Sequence, residues 1–319
     1  MRLLFALLRS AGYEWQPQTP DLLLKFRKNP FAFRALSKFF GLGLPLSWRN
    51  LLDDGLSERA LDLLINEKFL VPASTTNSSE EILFKSTMAV SGSGEIFIVH
   101  DHWPPNQSLE GGYVHYGAES AWLSRACNRD LEGFIGKRIL DLGCSSGALA
   151  LEVVGVAETV LGLDISERAI YWGNILKAAH GIRSMKLECA AIGSKEADHI
   201  VSVSGEWDTA IMNPPMVIPS HEASYPHRDG GKLGIEFPLL FLDFSYRHLR
   251  QGGEVLTLVT NPIIKGKPAF FDAFDKTRWE FIEKRCLHPH FNQSVARKQG
   301  YFDQGITNIE LWFLHLKKH

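Results

Sequence analysis

Length, composition and charge narrow the class of protein. The chain has 319 residues, which is longer than one typical domain, and 45% of them are hydrophobic, which is enough to bury a core. The formal net charge of −2 excludes the overall positive charge of many nucleic-acid-binding proteins and the acidic excess of a disordered chain. The sequence therefore predicts a folded protein of two domains.

The cysteines and the apolar segments indicate the cellular compartment. No cysteine lies in a CxxC pair or has a histidine at metal-ligand spacing, which argues against a zinc site or a disulfide framework. No segment reaches the roughly 20 uninterrupted apolar residues that a membrane span needs. Residues 1–9 have no cleavage pattern of a signal peptide. We expect a soluble cytoplasmic protein with no membrane partner and no metal site.

The N-terminal third has the pattern of a small helical domain with a hairpin. Residues 21–70 have apolar positions at helical spacing in short segments, and residues 81–99 alternate apolar and polar side chains. Helices followed by a hairpin are typical of a winged-helix domain. We predict such a domain at residues 1–108, ending in a proline-containing linker at 102–108.

The start of this domain carries a local positive charge. Residues 1–50 contain eight Lys or Arg and two acidic residues, an excess of six. A charged face of this kind is either simply solvated or docks nucleic acid. Because no set of base-reading side chains is visible there, a role in covering the substrate is the favoured interpretation.

Beyond Lys137 the pattern changes to buried strands separated by helical stretches. The predicted strands are residues 138–142, 159–164, 207–212 and 253–259. Strands alternating with helices predict an α/β fold with a parallel sheet and a ligand at the carboxyl ends of the strands. Two further strand-like runs, 279–284 and 306–316, predict a closing antiparallel hairpin. We place this second domain at residues 109–319.

A glycine-containing loop and two acidic residues predict a site for an adenosine ligand. The loop at 141–147 follows the first predicted strand directly, where glycine lets the backbone approach a ligand. The G-x-G-x-x-G spacing of dinucleotide enzymes is absent. Asp164 ends the next strand, where a carboxylate can accept both ribose hydroxyls. Since buried unpaired acids are costly, Asp141 and Asp164 favour a ligand over a purely structural turn.

Three motifs together resemble those of class I S-adenosylmethionine-dependent methyltransferases: D-L-G-C-S-S-G at 141–147, G-L-D at 162–164 and N-P-P-M at 213–216. The resemblance implies a Rossmann-like seven-stranded sheet and S-adenosylmethionine as the cofactor. It also implies that Asp141 supports the glycine loop, Asp164 holds the ribose and Ile165 flanks the adenine. The implied cofactor contacts are Asp141, Gly143, Cys144, Ser145, Gly147, Asp164, Ile165, Ala191, Ile192 and Asn213. Ala191 stands where the family usually has an acidic residue at the adenine amine.

The N-P-P-M motif predicts the reaction site. Two prolines after a strand make a rigid turn that presents the Asn213 side chain and the Pro214 carbonyl as hydrogen-bond acceptors. Hydrogen bonds from the N–H groups of a planar amide or amine to these acceptors favour pyramidalisation, and its lone pair can then attack the sulfonium methyl. Alignment and electrostatics supply the catalysis, and no general base is obligatory. The catalytic residues predicted are Asn213, Pro214, Pro215 and Met216.

A second resemblance covers nearly the whole chain. It is to a bacterial group related to the release-factor glutamine methyltransferases, with a winged-helix-like N-terminus, and it is carried by residues 113–120, 213–219 and 225–231. It implies substrate-side positions at Tyr113, His115, Tyr116, His227 and Arg228. Met216 departs from the aromatic residue that stacks on flat acceptors in such enzymes, which disfavours a nucleobase.

Several acceptors remain open at this point. N-methylation of an amide or amine on a protein or small molecule is favoured over methylation of an RNA or DNA base. O-methylation of a small metabolite would need a general base or a metal ion, and His221 and His227 are candidates for that role. A non-catalytic regulator that senses S-adenosylmethionine is a further alternative, and the intact Asn213 turn argues against it.

Overall fold

The structure is a computed structural model. It describes residues 1–15, 25–26, 28–73, 82–93, 96–102, 112–218, 229–290, 296–297 and 299–319. The chain divides into two compact units, Met1–Trp122 with Ser166–Arg183, and Leu123–Ile165 with Ser184–His319. The boundary expected after residue 108 lies outside the described residues and stays a prediction. Within the described part of the chain, no helix is both long enough and apolar enough to span a membrane.

The helices of the described residues alternate with strands between residues 138 and 264. They are α1 Arg2–Ser10, α2 Trp48–Asp53, α3 Glu58–Asn66, α4 Ala118–Arg129, α5 Ala148–Val153, α6 Glu167–His180, α7 Lys195–Ser202, α8 Glu236–His248 and α9 Ala269–Ala273. Serine side chains begin several of them: Ser57 accepts a hydrogen bond from the Ala60 amide at 3.3 Å, and Ser194 accepts one from the Ala197 amide at 3.1 Å.

The strands of the described residues form one large sheet and two small ones. They are β1 Leu46–Ser47, β2 Leu70–Pro72, β3 Leu83–Ser86, β4 Ala89–Ser93, β5 Ile96–His100, β6 Arg138–Leu142, β7 Thr159–Asp164, β8 Met185–Cys189, β9 Trp207–Met212, β10 Leu249–Ile264, β11 Lys267–Pro268, β12 Trp279–His288 and β13 Ile306–Lys318.

The first unit combines helices with small antiparallel sheets. Strands β1, β3 and β2 form one sheet, and β4 and β5 pair as the hairpin that the alternation of side chains predicts. Helix α6 belongs to this unit, and the guanidinium of its Arg168 forms an ion pair with the buried Asp101, with Nη2 2.7 Å from Oδ1. Helices and a hairpin are present as expected, and the winged-helix assignment stays a prediction.

The second unit contains the large sheet, with strand order β12-β13-β10-β9-β6-β7-β8 and the short β11 paired to β10. Strands β10, β9, β6, β7 and β8 run parallel, and β12, β13 and β10 are antiparallel neighbours. The predicted α/β fold with a seven-stranded methyltransferase sheet is confirmed, and so is the closing hairpin of β12 and β13. An apolar core that includes Trp207, Phe244 and Phe270 packs against this sheet.

The topology positions a ligand site at one edge of this sheet. The chain order reverses at β6, because β7 and β8 lie on one side of it and β9 and β10 on the other. In open parallel sheets, ligands bind beyond the carboxyl ends of the strands at such a reversal. The loops that follow β6, β7, β8 and β9 are therefore the candidate site.

Candidate cofactor and acceptor site

The loop after β6 has an unusual backbone. Gly143 and Gly147 have φ angles of 72° and 81°, and between them Ser145 has a φ of 50° although it carries a side chain. A non-glycine residue in this left-handed region is strained and persists only when its surroundings hold it. The Ser145 amide donates to Asp164 Oδ2 at 2.8 Å, and the Cys144 amide donates to Leu163 O at 3.0 Å. The end of β7 therefore holds the loop.

The loop after β6 also packs closely against β7 at Gly162. A Cβ atom at this position would lie 2.5 Å from Leu187 Cδ2 and 2.9 Å from Cys144 Sγ. Any side chain at this position would force the Leu187 and Cys144 side chains to shift, so glycine lets β8 and the loop pack closely against β7. The G-L-D motif thus has two roles: its glycine allows close packing, and its Asp164 provides a carboxylate at the end of β7.

Asp141 lies in the interior of the unit, with no exposed surface. Its Oδ2 accepts a hydrogen bond from the Ala150 amide at 3.0 Å, in the first turn of α5. Burial raises the pKa of the Asp141 carboxyl to about 7, against the smaller opposing effect of the bond from Ala150. Among the described residues, Asp141 Oδ1 has no hydrogen-bond donor. A buried carboxylate oxygen without a donor requires an explanation, and a polar or cationic ligand is one that fits this position.

The ends of β7 and β8 complete the candidate cofactor site. Asp164 and Cys189 are partners in register, and the Ala190 amide donates to Asp164 O at 2.9 Å. Ile165, directly after the acid, is 72% exposed. Ala191 and Ile192 follow β8 and are half-buried. The structure therefore brings the expected positions of all three loops to one edge of the sheet.

The Asn213 to Met216 loop leaves the same edge from β9. Asn213 and Pro215 are half-buried, and Pro214 and Met216 are buried. Three main-chain carbonyls after the prolines are fixed by hydrogen bonds. Met216 O accepts from Thr260 Oγ1 at 3.0 Å, Val217 O from the Gly230 amide at 2.8 Å and Ile218 O from the Tyr301 hydroxyl at 2.9 Å.

The sequence did not identify the residues that hold this loop. Thr260 lies on β10, Gly230 precedes α8, and Tyr301 precedes β13, so all are distant from residue 216 along the chain. Gly230 lies in the segment 225–231, which the sequence analysis singled out only because it carries the second resemblance. Gly230 contacts the reaction loop, since its amide donates to Val217 O.

The predicted substrate-side residues divide into two groups. His227 and Arg228, like the alternative base His221, lie outside the described residues. Tyr113, His115 and Tyr116 belong to the first unit, where the Tyr113 hydroxyl donates to His102 O at 3.3 Å and the Tyr113 and His115 rings are 6.0 Å apart. Their role at the substrate stays a prediction. In the described ranges, no cluster of three or more His, Cys, Asp or Glu side chains is arranged to hold a metal ion.

The sequence model of the methyltransferase small domain family matches residues 123–285, just over half of the chain. The chain belongs to the methyltransferase small domain family. It is therefore an S-adenosylmethionine-dependent methyltransferase, and S-adenosylmethionine is its methyl donor. The expectations of enzyme class and cofactor are confirmed.

Two curated relatives and one solved structure illustrate the range of similar proteins. The chain is 29% identical over 196 residues to the rRNA N(6)-adenosine-methyltransferase metl-5 of Caenorhabditis elegans, covering 58% of this chain and 78% of the relative. It is 32% identical over 73 residues to the ubiquinone biosynthesis O-methyltransferase of Thiobacillus denitrificans, covering 23% and 29% of the two chains. Trm5b of Pyrococcus abyssi has a TM-score of 0.45 at 12% identity, covering 78% of this chain and 63% of that one.

Proposed function

We propose that this enzyme methylates a planar nitrogen atom that is held at the loop of Asn213, Pro214, Pro215 and Met216. One observation carries the proposal. Leu142 and Met212, the last residues of β6 and β9, are partners in the parallel register of the sheet. Adjacent strands lie about 4.8 Å apart, so the glycine loop and the Asn213 loop leave the sheet side by side. A methyl donor at the first loop would lie next to an acceptor at the second.

The residues at this edge fit S-adenosylmethionine. The buried Oδ1 of Asp141, which lacks a donor among the described residues, supports a cationic ligand beside the loop of Gly143, Cys144, Ser145 and Gly147. Asp164 would accept the ribose hydroxyls, and the exposed Ile165 offers an apolar face to adenine. Ala191 and Ile192 would border the adenine from the end of β8. Bound S-adenosylmethionine supplies an electrophilic methyl group on a sulfonium sulfur.

The chain's own part in catalysis would be alignment of the acceptor. The Asn213 side-chain carbonyl and the Pro214 carbonyl would accept two hydrogen bonds from the acceptor's N–H groups, which localises the nitrogen lone pair toward the methyl group. The two prolines fix their φ angles, so these acceptors hold their positions during the reaction. The nitrogen becomes cationic on methylation and then loses its proton to solvent, so the site needs no general base.

For the acceptor class, we propose an exocyclic amine of a base in RNA. The support is the relative from Caenorhabditis elegans, which is named for an adenosine amine in rRNA and matches over 78% of its own length. The excess of positive charge in the sequence of residues 1–50, in the domain we propose to be winged-helix-like, would favour contacts with phosphates. A cytoplasmic location, where the enzyme would encounter RNA, is part of the same proposal.

A second candidate is an amide or amine of a protein or small molecule. The observation that favours it is the burial of Met216, which is 8% exposed and offers no aromatic face on which a flat base could stack. The short match to an O-methyltransferase keeps a hydroxyl acceptor as a third outcome of the test rather than a proposal.

The acceptor class can be tested with labelled methyl donor. Purified enzyme is incubated with methyl-labelled S-adenosylmethionine and, separately, with unmodified rRNA transcripts, a nuclease-treated protein extract and a small-molecule extract. The proposal predicts labelling of RNA that weakens steeply as the salt concentration rises, because phosphate contacts release counterions. Labelling of the protein or small-molecule fraction alone would instead support the second candidate and contradict an RNA acceptor.

A further inference from the structure

The hydroxyl of Thr260 contacts the reaction loop directly. Thr260 lies near the end of β10, and its Oγ1 is 3.0 Å from Met216 O and 3.3 Å from Gly234 O. A hydroxyl has one proton, so the shorter contact, to Met216 O, is the principal bond. This bond joins a rigid strand of the central sheet to the last residue of the N-P-P-M motif.

Two glycines enclose the same main-chain segment from other directions. A Cβ atom on Gly230 would lie 2.6 Å from Met216 Cα, and one on Gly234 would lie 2.6 Å from Met216 O. Both positions therefore have to be glycine for the backbone to pass so close to Met216. With Thr260 on one side and these glycines on the others, the main chain of Met216 has little freedom to move.

A fixed Met216 also restrains the two groups of the loop that are proposed to accept hydrogen bonds from the substrate. Pro214 and Pro215 each have a locked φ angle, so few soft torsions separate the Met216 carbonyl from the Pro214 carbonyl and the Asn213 side chain. At the other end, Met212 is held in β9 between β6 and β10. The loop is thus a short, stiff span anchored at both ends, and Thr260 provides the second anchor.

We propose that Thr260 is a positioning residue for methyl transfer. It acts through Met216 on the Asn213 side chain and the Pro214 carbonyl, the two groups that would accept hydrogen bonds from the substrate. This inference rests on the proposed function of the loop. Methyl transfer depends strongly on alignment, and a displacement of about 1 Å can cost about 100-fold in rate. Loss of the Thr260 hydroxyl should therefore lower kcat while S-adenosylmethionine, bound at the loops after β6 to β8, keeps its affinity.

The test compares Thr260→Val, which removes the hydroxyl at nearly constant volume, with Thr260→Ser, which keeps it. The matched control is Thr257→Val, on the same strand, where a fully buried hydroxyl donates to Leu258 O at 3.1 Å. Each variant is assayed for methyl incorporation into the fraction that the wild-type enzyme labels, for the Kd of S-adenosylmethionine, and for hydrogen exchange of the amides of residues 216–218. The exchange measurement requires no acceptor.

The proposal predicts that Thr260→Val lowers kcat about 10- to 100-fold, leaves the Kd unchanged and speeds exchange at residues 216–218. Thr260→Ser should restore most of the activity, and Thr257→Val should behave like the wild type in all three measurements. The inference is overturned if Thr260→Val matches Thr257→Val, if serine does not rescue, or if the Kd rises in parallel. Asn213→Ala is included because full activity in that variant would refute the proposed function of the loop itself.

Discussion

The carboxylate of Asp164 and the amide of Ser145 are joined by a 2.8 Å hydrogen bond. Through this bond, the acidic residue proposed to hold the ribose also stabilises the left-handed residue of the glycine loop, whose φ is 50°. Two halves of the candidate cofactor site are therefore not independent. A change at Asp164 should disturb both the contact with the ribose and the shape of the loop under the methionine moiety.

Asp164→Ala should abolish measurable binding of S-adenosylmethionine, because it removes the ribose acceptor and the partner of Ser145 together. Asp164→Asn, which keeps one carbonyl oxygen for the Ser145 amide, should retain weak binding. Calorimetric titration measures both. Asp243→Ala is the control, since this half-exposed carboxylate forms surface ion pairs with Arg247 and Arg278 that contribute little to stability. Wild-type affinity in Asp164→Ala would contradict the proposed role.

Asn213→Ala should keep most of its affinity for S-adenosylmethionine, because the other expected cofactor contacts are unchanged, and should lose methyl transfer by about 100- to 1,000-fold, the usual effect of removing one aligned polar group in an active site. Binding and turnover are measured on the same preparation. Asn174→Ala removes an amide that donates to Ile170 O within its own helix, and it should leave both measurements unchanged. Equal loss of binding and turnover in Asn213→Ala would contradict the division of roles between the two loops.

The affinity for S-adenosylmethionine should increase as the pH rises through about 7, the value to which burial raises the pKa of Asp141. A cationic ligand favours the ionised carboxylate, so protonation at lower pH opposes binding, and the expected loss between pH 8 and pH 6 is up to about tenfold. Asp141→Asn keeps an acceptor for the Ala150 amide and cannot ionise. The difference between the pH profiles of affinity for the wild type and for Asp141→Asn measures the contribution of Asp141 ionisation. Identical pH profiles would contradict the prediction.

Gly162→Ala should destabilise the enzyme, because the new methyl group would lie 2.5 Å from Leu187 Cδ2 and 2.9 Å from Cys144 Sγ. Overpacking of this kind typically costs about 1–3 kcal/mol in the free energy of unfolding, and it should also weaken cofactor binding by displacing the loop. Gly155→Ala is the matched control, since no atom lies within 4 Å of its added Cβ. Equal stability of the two variants in denaturant unfolding would show that the close approach at Gly162 is not required.

Much of the sheet was predictable because parallel strands are buried on both faces and appear as continuous apolar runs. The runs at 138–142, 159–164 and 207–212 match β6, β7 and β9, and the loop at 141–147 follows β6 as expected. The three motifs follow these strands, and their resemblance to methyltransferase motifs implied that the loops after the strands meet at one edge of the sheet.

The support of the reaction loop was not predictable from the sequence. Thr260 and Met216 are 44 residues apart, and nothing in a threonine of a buried strand indicates which carbonyl its hydroxyl will reach. The left-handed conformation of Ser145 could not be predicted for a similar reason. It depends on a hydrogen bond from the Ser145 amide to the Asp164 carboxylate at the end of another strand. Such contacts follow from the packing of elements, which local patterns do not encode.

The central claim is that the acceptor atom is a planar nitrogen, and the most direct measurement is the chemical identity of the methylated product. Labelled acceptor is digested to nucleosides or amino acids and analysed by mass spectrometry against N-methyl and O-methyl standards. The account predicts an N-methylated product, a base-methylated nucleoside if the RNA proposal holds, and its absence with Asn213→Ala. An O-methylated product made by the wild-type enzyme and retained by Asn213→Ala would contradict it.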